Sequence, residues 1–345
     1  MARTLEHDRL PALARGFSLL GSGGGGTTTM LELMLLDSPA WPIGLHAVGE
    51  LDPATPCLAA AFAGSTYLLT ERIPGESPFA ELVDAAERWT GVRARAVCAL
   101  EGAGLNGLSP FLLADEFAVV DADFMGRALP RLDQLSLFVD RVPGTVTVCG
   151  SGGGGVVLID TDRAGDVESV LRGAIVQAGG ASAVVVAGFT VGDLAEHAVE
   201  GSFRRALELG TAFDSAAEAP LTELAGRLGG RMLGIGRIVA VESSPIDEYV
   251  STIEIMGDDG GLLRVIARSE VLAFMRDGRL EAASPEIIVT IDSISRDILQ
   301  VDGLTNARHV AVFALPAPEW WTSLPERLRR VTPAAFGVDG LEPAA

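Results

Sequence analysis

Apolar positions recur at helical spacing through "LEHDRLPALARGFSLLG", and Gly21 ends the pattern, so the first stretch predicts a helix. After a run of glycines, "TTTMLELMLL" predicts a second helix whose threonines can cap its N-terminus. "IGLHAVGEL" and "PCLAAAFAG" read as strands, and "PFAELVDAAERWTG" as an amphipathic helix ending at Gly91. "VRARAVCAL" is a strand running into the loop "EGAGLNG"; "LSPFLLADE" is a short helix and "FAVVDAD" another strand. Such alternation points to an α/β layered domain. "GDVESVLRGAIVQAGG" then reads as helix, "ASAVVVAGF" as strand, and the residues up to Gly230 as a run of helices. From Arg231 the texture changes to short strands separated by turn signals, the pattern of a compact β-barrel or sandwich. The expected division is an N-terminal α/β domain over residues 1–165 and a C-terminal domain over 166–345 with a helical entry and a barrel-like core. The helices after the boundary could pack on either domain.

The hexapeptide GSGGGG occurs twice, at Gly21–Gly26 and Gly150–Gly155. The contexts differ. The first joins two predicted helices; the second lies between two β-branched runs in "TVTVCGSGGGGVVLID" and predicts a hairpin tip. Duplication is therefore not the explanation. Only the first has the layout of an anion nest, where Gly23, Gly24 and Gly25 would offer backbone N–H groups ahead of a helix. It is neither a Walker A loop, since Thr27 stands where Gly-Lys is needed, nor a dinucleotide fingerprint, since a helix precedes it. Close backbone packing explains the glycines equally well.

Composition narrows the function. The 345 residues carry 46 acids and 26 bases, a net charge of −20 that repels nucleic acid and anionic lipid. All the bases are arginine. Without lysine there is no Schiff base, no pyridoxal-phosphate lysine and no P-loop lysine, so anions must be met by Arg, hydroxyls or backbone N–H groups. Cys57, Cys98 and Cys149 are widely spaced in apolar runs and read as small buried hydrophobes, not as a zinc site or disulfide framework. Neither a signal peptide nor a membrane span is visible, and the expectation is a cytoplasmic protein acting on a small molecule, with no nucleic-acid or membrane partner and a possible homo-oligomeric state.

Two segments carry candidate chemistry. In "VVDADFMGRALP", Asp121 and Asp123 alternate at the end of an apolar strand, where α/β domains place their sites. Arg127 follows, and its fork suits a carboxylate clamp; the plainer alternative is a capped turn with an Arg–Asp ion pair. In "EGAGLNG", Glu101 ends a buried strand, and an apolar setting would raise its pKa toward acid–base use. Asn106 can donate and accept together, which suits an amide-like ring; a glutamate capping the next helix is the plainer alternative. His7, His46, His197 and His309 lack ligand spacing. A metal held by Asp121, Asp123 and Glu101 would be Mg- or Mn-like, but the sequence assigns neither metal nor cofactor. Ser22 and Cys149 lack an identifiable adjacent base for covalent catalysis.

"LLGSGGGG", "AGSTYLLTERIPG", "EGAGLNGLSP" and "VVDADFMGRALPRL", followed by "GSFRRALELG", "GRIVAVE", "TIDS", "FALPAPEWW" and "TPAAFG", form an ordered set across nearly the whole chain. That set resembles the S-methyl-thiohydantoin desulfurase-like family. The resemblance implies an N-terminal three-layer αβα domain, a C-terminal β-barrel-type domain, and hydrolytic release of methanethiol from a hydantoin-like ring. In that reaction Glu101 or Asp123 would activate water, with Asp121 beside them. Asn106 and the glycine N–H groups would stabilise ring charge, and Arg127 would hold a substrate carboxylate. The chain departs from the family pattern at "PRLDQLS", where Asp133 and Gln134 are shifted, and at "ARSEVLA", where only Glu270 of a polar Gln-Asn-Glu-Asn stretch remains. These departures favour the alternative of a non-catalytic metabolite-binding subunit or sensor beside a hydantoinase- or oxoprolinase-type enzyme.

Overall fold

The computed structural model of the chain describes residues 3–71, 74–75, 77–244 and 249–341. Residues 72–73 of "AGSTYLLTERIPG" lie outside the described residues. The protein is a mixed α/β layer carrying a curled antiparallel half-barrel.

The strands of the first half are β1 (Arg3–Leu5), β2 (Ile43–His46), β3 (Pro56–Gly64), β4 (Ala96–Ala99), β5 (Ala118–Val120), β6 (Ala122–Asp123), β7 (Val146–Gly150), β8 (Val156–Asp160), β9 (Ala181–Thr190) and β10 (Val199–Glu200). Eight of them form one sheet in the order β1-β2-β5-β4-β3-β9-β7-β8, while β6 and β10 make a separate two-stranded ribbon. The centre, β2-β5-β4-β3, is parallel; β9, β7 and β8 extend it antiparallel. Strand β3 shows why both faces are covered. Leu58, Ala60 and Phe62 enter one apolar core while Cys57, Ala59 and Ala61 enter another, the two-residue period of a doubly buried strand. The helix Leu10–Leu20 supplies Leu13, Phe17 and Leu20 to the first core, and the helix Ala164–Gln177 supplies Val167, Leu171 and Ile175 to the second.

The second half contributes β11 (Arg231–Ser243), β12 (Ser251–Gly257), β13 (Leu262–Ala267), β14 (Val271–Arg276), β15 (Arg279–Ala283), β16 (Ile287–Asp292) and β17 (His309–Leu315). They form an antiparallel sheet in the order β15-β14-β13-β12-β11-β17-β16. Its concave interior holds Ile253, Val265, Phe274, Ile288 and Val312. The alternate residues of β16 and β17, among them Ile287, Val289, Ile291 and Phe313, pack into the first core of the α/β layer. Period-2 burial thus welds the two halves together.

Two local features differ from the sequence reading. Arg3–Leu5 forms an edge strand paired with β2, and the helix begins at Leu10 because Pro11 sits in its first turn, where a missing N–H costs nothing. "EGAGLNGLSP" and the residues after it form a 3-10 helix, Gly104–Leu113, with Pro110 inside it. Elements that follow residue 165 pack on the first half. Strand β9 lies between β3 and β7 in the first sheet, and the helix Ser202–Ser215 crosses the helix Leu10–Leu20 so closely that a Cβ on Gly16 would stand 1.7 Å from the Ala206 carbonyl oxygen. The second GSGGGG is the tip of the β7–β8 hairpin, and the first joins the helices Leu10–Leu20 and Thr29–Leu36.

Candidate functional site

Strand β4 ends at Ala99, and the chain turns so that Glu101 is carried inward, 6% exposed, at the seam between the α/β layer and the half-barrel. Its Oε1 accepts the Leu129 N–H at 3.1 Å and its Oε2 accepts the Asn106 amide at 3.0 Å. Asn106 is itself fixed by the Phe62 backbone, taking its N–H at 2.7 Å and donating to its carbonyl at 3.0 Å. Asn106 therefore orients Glu101 with its own polar atoms committed to protein partners. Burial, reinforced by the charge of Glu270, pushes Glu101 up to about 8, despite the hydrogen bonds that favour the carboxylate.

Glu270, outside the sequence-predicted set, completes the centre from the barrel side. It sits between β13 and β14, 5% exposed, with its side chain against the first glycine loop: a Cβ on Gly24 would stand 2.5 Å from its Oε1. Burial pushes Glu270 up to about 7, opposed by the Arg127 guanidinium. Its Oε2 is buried without a hydrogen-bond partner. The sequence signal for it was that Glu270 alone remains of the polar stretch of the family pattern, just ahead of the apolar run Val271–Ala273.

The glycine loop acts as a strut between the halves. The Gly23 carbonyl accepts the Val301 N–H at 2.7 Å, the Ser22 carbonyl accepts the Val271 N–H at 2.7 Å, and Ser22 Oγ bonds the Ile288 backbone on both sides, at 3.0 and 3.1 Å. The Gly25 carbonyl accepts the Leu105 N–H at 3.0 Å, and a Cβ on Gly104 would meet that carbonyl oxygen at 2.1 Å. Close packing therefore accounts for this loop, with Gly24 facing a carboxylate.

Asp121 and Asp123 diverge as their alternation requires. Asp121 accepts the Phe203 and Arg204 N–H groups at 2.7 and 3.4 Å and so caps the helix Ser202–Ser215. Asp123 is fully buried; its Oδ1 accepts the Met125 and Gly126 N–H groups at 2.6 and 2.5 Å, and its Oδ2 accepts the Ser202 hydroxyl. Burial raises the pKa of both, against these hydrogen bonds. Asp123 lies beside the Glu101 loop, since a Cβ on Gly102 would meet its Oδ2 at 2.3 Å.

Arg127 makes no ion pair with either aspartate. It is fully buried, and its Nε donates to Ala128 O at 2.9 Å, Nη1 to Glu286 O at 2.5 Å and Ser284 Oγ at 3.4 Å, and Nη2 to Val271 O at 3.2 Å. Desolvation lowers it to about 10, opposed by the charges of Glu270 and Glu101. Its side chain staples the α/β layer to the barrel and supplies the positive charge beside two carboxyls. The fork that the sequence offered to a ligand is largely occupied by protein carbonyls.

The seam thus gathers Glu101, Asn106, Asp123, Arg127, Gly24 and Glu270, while Asp121 is turned toward a helix end. Surface grooves of about 480 and 350 Å³ lie elsewhere, the first around Leu5, Leu45 and Leu207 and the second around Leu58, Trp89 and Phe189. Among the described residues no three His, Cys, Asp or Glu side chains come together to hold a metal. Among those residues, too, no helix is long and apolar enough to cross a membrane.

The S-Me-THD-like N-terminal domain matches residues 8–161, and the S-Me-THD-like C-terminal domain matches residues 161–343. The chain belongs to the S-Me-THD-like family. A crystal structure of a protein from Chromobacterium violaceum is similar over 100% of this chain and 99% of that one, at 23% identity and a TM-score of 0.80. That likeness establishes the shared fold. No curated protein matches the chain. In this S-Me-THD-like chain, the segments "EGAGLNGLSP" and "VVDADFMGRALPRL" come from one domain, Glu270 from the other, and they meet at the seam.

Proposed function

We propose that the protein is a hydrolase acting on a hydantoin-like ring, releasing methanethiol from an S-methyl-thiohydantoin. The observation that carries this reading is Glu101: a carboxyl 6% exposed, oriented by Asn106 and the Leu129 N–H, and raised to about 8. Such a group holds its proton at neutral pH and can release it within reach of physiological conditions, the property of a general acid–base. Water attacks the ring carbon that bears sulfur, a C–O bond forms and the C–S bond breaks. Glu101 gives its proton to the departing thiolate and is reprotonated from the attacking water. The water's second proton ends on the ring nitrogen, so atoms and charges balance. Asp123, with both oxygens engaged by the protein, serves as a positioning residue for the loop that carries Gly102. The substrate is a small molecule, and the three buried free cysteines suit a reducing cytoplasm.

The test is thiol release from a synthetic S-methyl-thiohydantoin by purified protein. Glu101→Gln should lower turnover by roughly 100-fold, the scale of a lost acid–base group. The engagement of Arg127 by protein carbonyls favours a second reading, a ring-binding sensor, since it leaves the guanidinium no free face for a reacting group. Ring binding without thiol release, in protein that melts normally, would select the sensor over the enzyme.

A further inference from the structure

Nearly every polar group at the seam is satisfied by the protein. Both oxygens of Glu101, both oxygens of Asp123 and both polar atoms of Asn106 have protein partners. Each of the three guanidinium nitrogens of Arg127 donates to at least one. Among the carboxyls gathered there the exception is Glu270, whose Oε2 is buried and has no partner. The other unpartnered buried carboxylate oxygen among the described residues, Asp133 Oδ1, belongs to a side chain already paired with Arg131 at 2.5 Å. Buried polar atoms are nearly always bonded, so an unpartnered carboxylate oxygen calls for an explanation, such as a catalytic role or a partner that is not part of the chain. Glu270 reaches this place from the barrel, packed against Gly24 and near enough to Glu101 for their charges to interact.

We propose that Glu270 Oε2 is the subsite for a ring N–H of the substrate, so that the centre selects neutral, N–H-donating rings of the cyclic-ureide class and rejects carboxylates. This rests on the hydantoin-like reading above. A carboxylate oxygen accepts and does not donate. The partner it calls for is an N–H or O–H, and a ligand carboxylate in its place would set acceptor against acceptor at Glu270 Oε2. The arginine that could have balanced a ligand carboxylate is bonded to Ala128, Glu286 and Val271 carbonyls. A cyclic ureide brings N–H donors at fixed angles without net charge. The ring-opened acid of the same size presents a carboxylate acceptor where Oε2 calls for a donor, and the guanidinium that would pair with it is already bonded to protein carbonyls.

The experiment is calorimetric binding of hydantoin, its N1-methyl and N3-methyl derivatives, and the ring-opened carbamoyl acid to the full chain. The wild type should bind hydantoin at least about 10-fold more tightly than one of the N-methyl rings and than the open acid, the fold-change of one charge-assisted hydrogen bond. Glu270→Met should remove that preference while leaving affinity for the disfavoured N-methyl ring within about threefold. Equal binding of hydantoin and both N-methyl rings by the wild type overturns the proposal and spares the ring-binding reading, as does an unchanged preference in Glu270→Met. Failure of every ring to bind or turn over removes both. If Glu270→Met does not fold, the wild-type methyl series decides alone.

Discussion

Two carboxyls from different halves of the chain, Glu101 and Glu270, are buried together at the cost of their charge. Both are raised, to about 8 and about 7, from an ordinary value of 4.5. A carboxyl raised on folding binds more protons folded than unfolded, so its contribution to stability is full below about pH 4.5 and is lost as pH rises through 7 and 8. Urea unfolding of the wild type should accordingly show stability falling between pH 5 and pH 8.5, and Glu270→Gln should flatten the slope. A wild-type profile that rises across this window would contradict the burial of the pair. Asp123 behaves differently, since three hydrogen bonds hold it. Asp123→Asn replaces an acceptor with an N–H₂ that cannot serve all of Met125, Gly126 and Ser202. A loss of about 1–3 kcal/mol is expected from the melting curve, the scale of a buried polar group left unsatisfied. The cysteines are buried and free, and burial raises the thiols of Cys98 and Cys149, the latter to about 11. A thiol reagent should leave the native protein unlabelled and react only after unfolding.

Among the elements, the crossing of the helices Leu10–Leu20 and Ser202–Ser215 sets the position of the site. Gly16 and Gly210 face carbonyl oxygens of the opposite helix, with room for no Cβ: each would lie 1.7 Å from one. The first helix leads directly into the glycine loop, and the second is capped by Asp121 at the end that also holds Ser202 against Asp123. Gly16→Ala would push the helices apart at both places. It should lower stability by about 1–3 kcal/mol, as overpacking does, and should impair ring binding although no ligand contact changes. Normal binding in a destabilised Gly16→Ala protein would separate the crossing from the site.

At the scale of the molecule, the half-barrel and the α/β layer share a core and are pinned by Ser22, Gly23 and Arg127. One cooperative unfolding transition is the expected calorimetric result. Arg127→Met would leave the Ala128 and Glu286 carbonyls without this donor, leave the Val271 carbonyl with the Ser22 hydroxyl alone, and remove the positive charge beside two carboxyls. A loss of about 3–5 kcal/mol follows, on the scale of a buried pair broken on one side, and carboxylate-bearing and neutral ligands should suffer alike. A variant that melts normally yet loses only carboxylate ligands would restore the clamp that the sequence suggested.

Much of this was written in local pattern. The strand alternation of "PCLAAAFAG", the Gly91 stop, the hairpin around the second GSGGGG and the change of texture at Arg231 each follow from side-chain period and turn chemistry, which neighbours in the chain suffice to set. Glu101 and Asp123 could be picked out as candidates for the same reason, as acids at the ends of apolar strands, and Asn106 as the amide of the glycine-bearing stretch that follows. Tertiary structure decided what these residues touch. The sequence of "DADFMGR" presents an arginine four and six residues from two aspartates, yet the fold turns that arginine away to carbonyls more than 140 positions on. Strand β9 could have opened the second domain but pairs with β3, since an apolar strand carries no record of which partner will cover its edge. Glu270 shows the same limit most plainly. A single acid just ahead of an apolar run announces that burial must be compensated, but only the packing of barrel against glycine loop shows that Glu101 and Arg127 are its neighbours and that one of its oxygens is left unbonded.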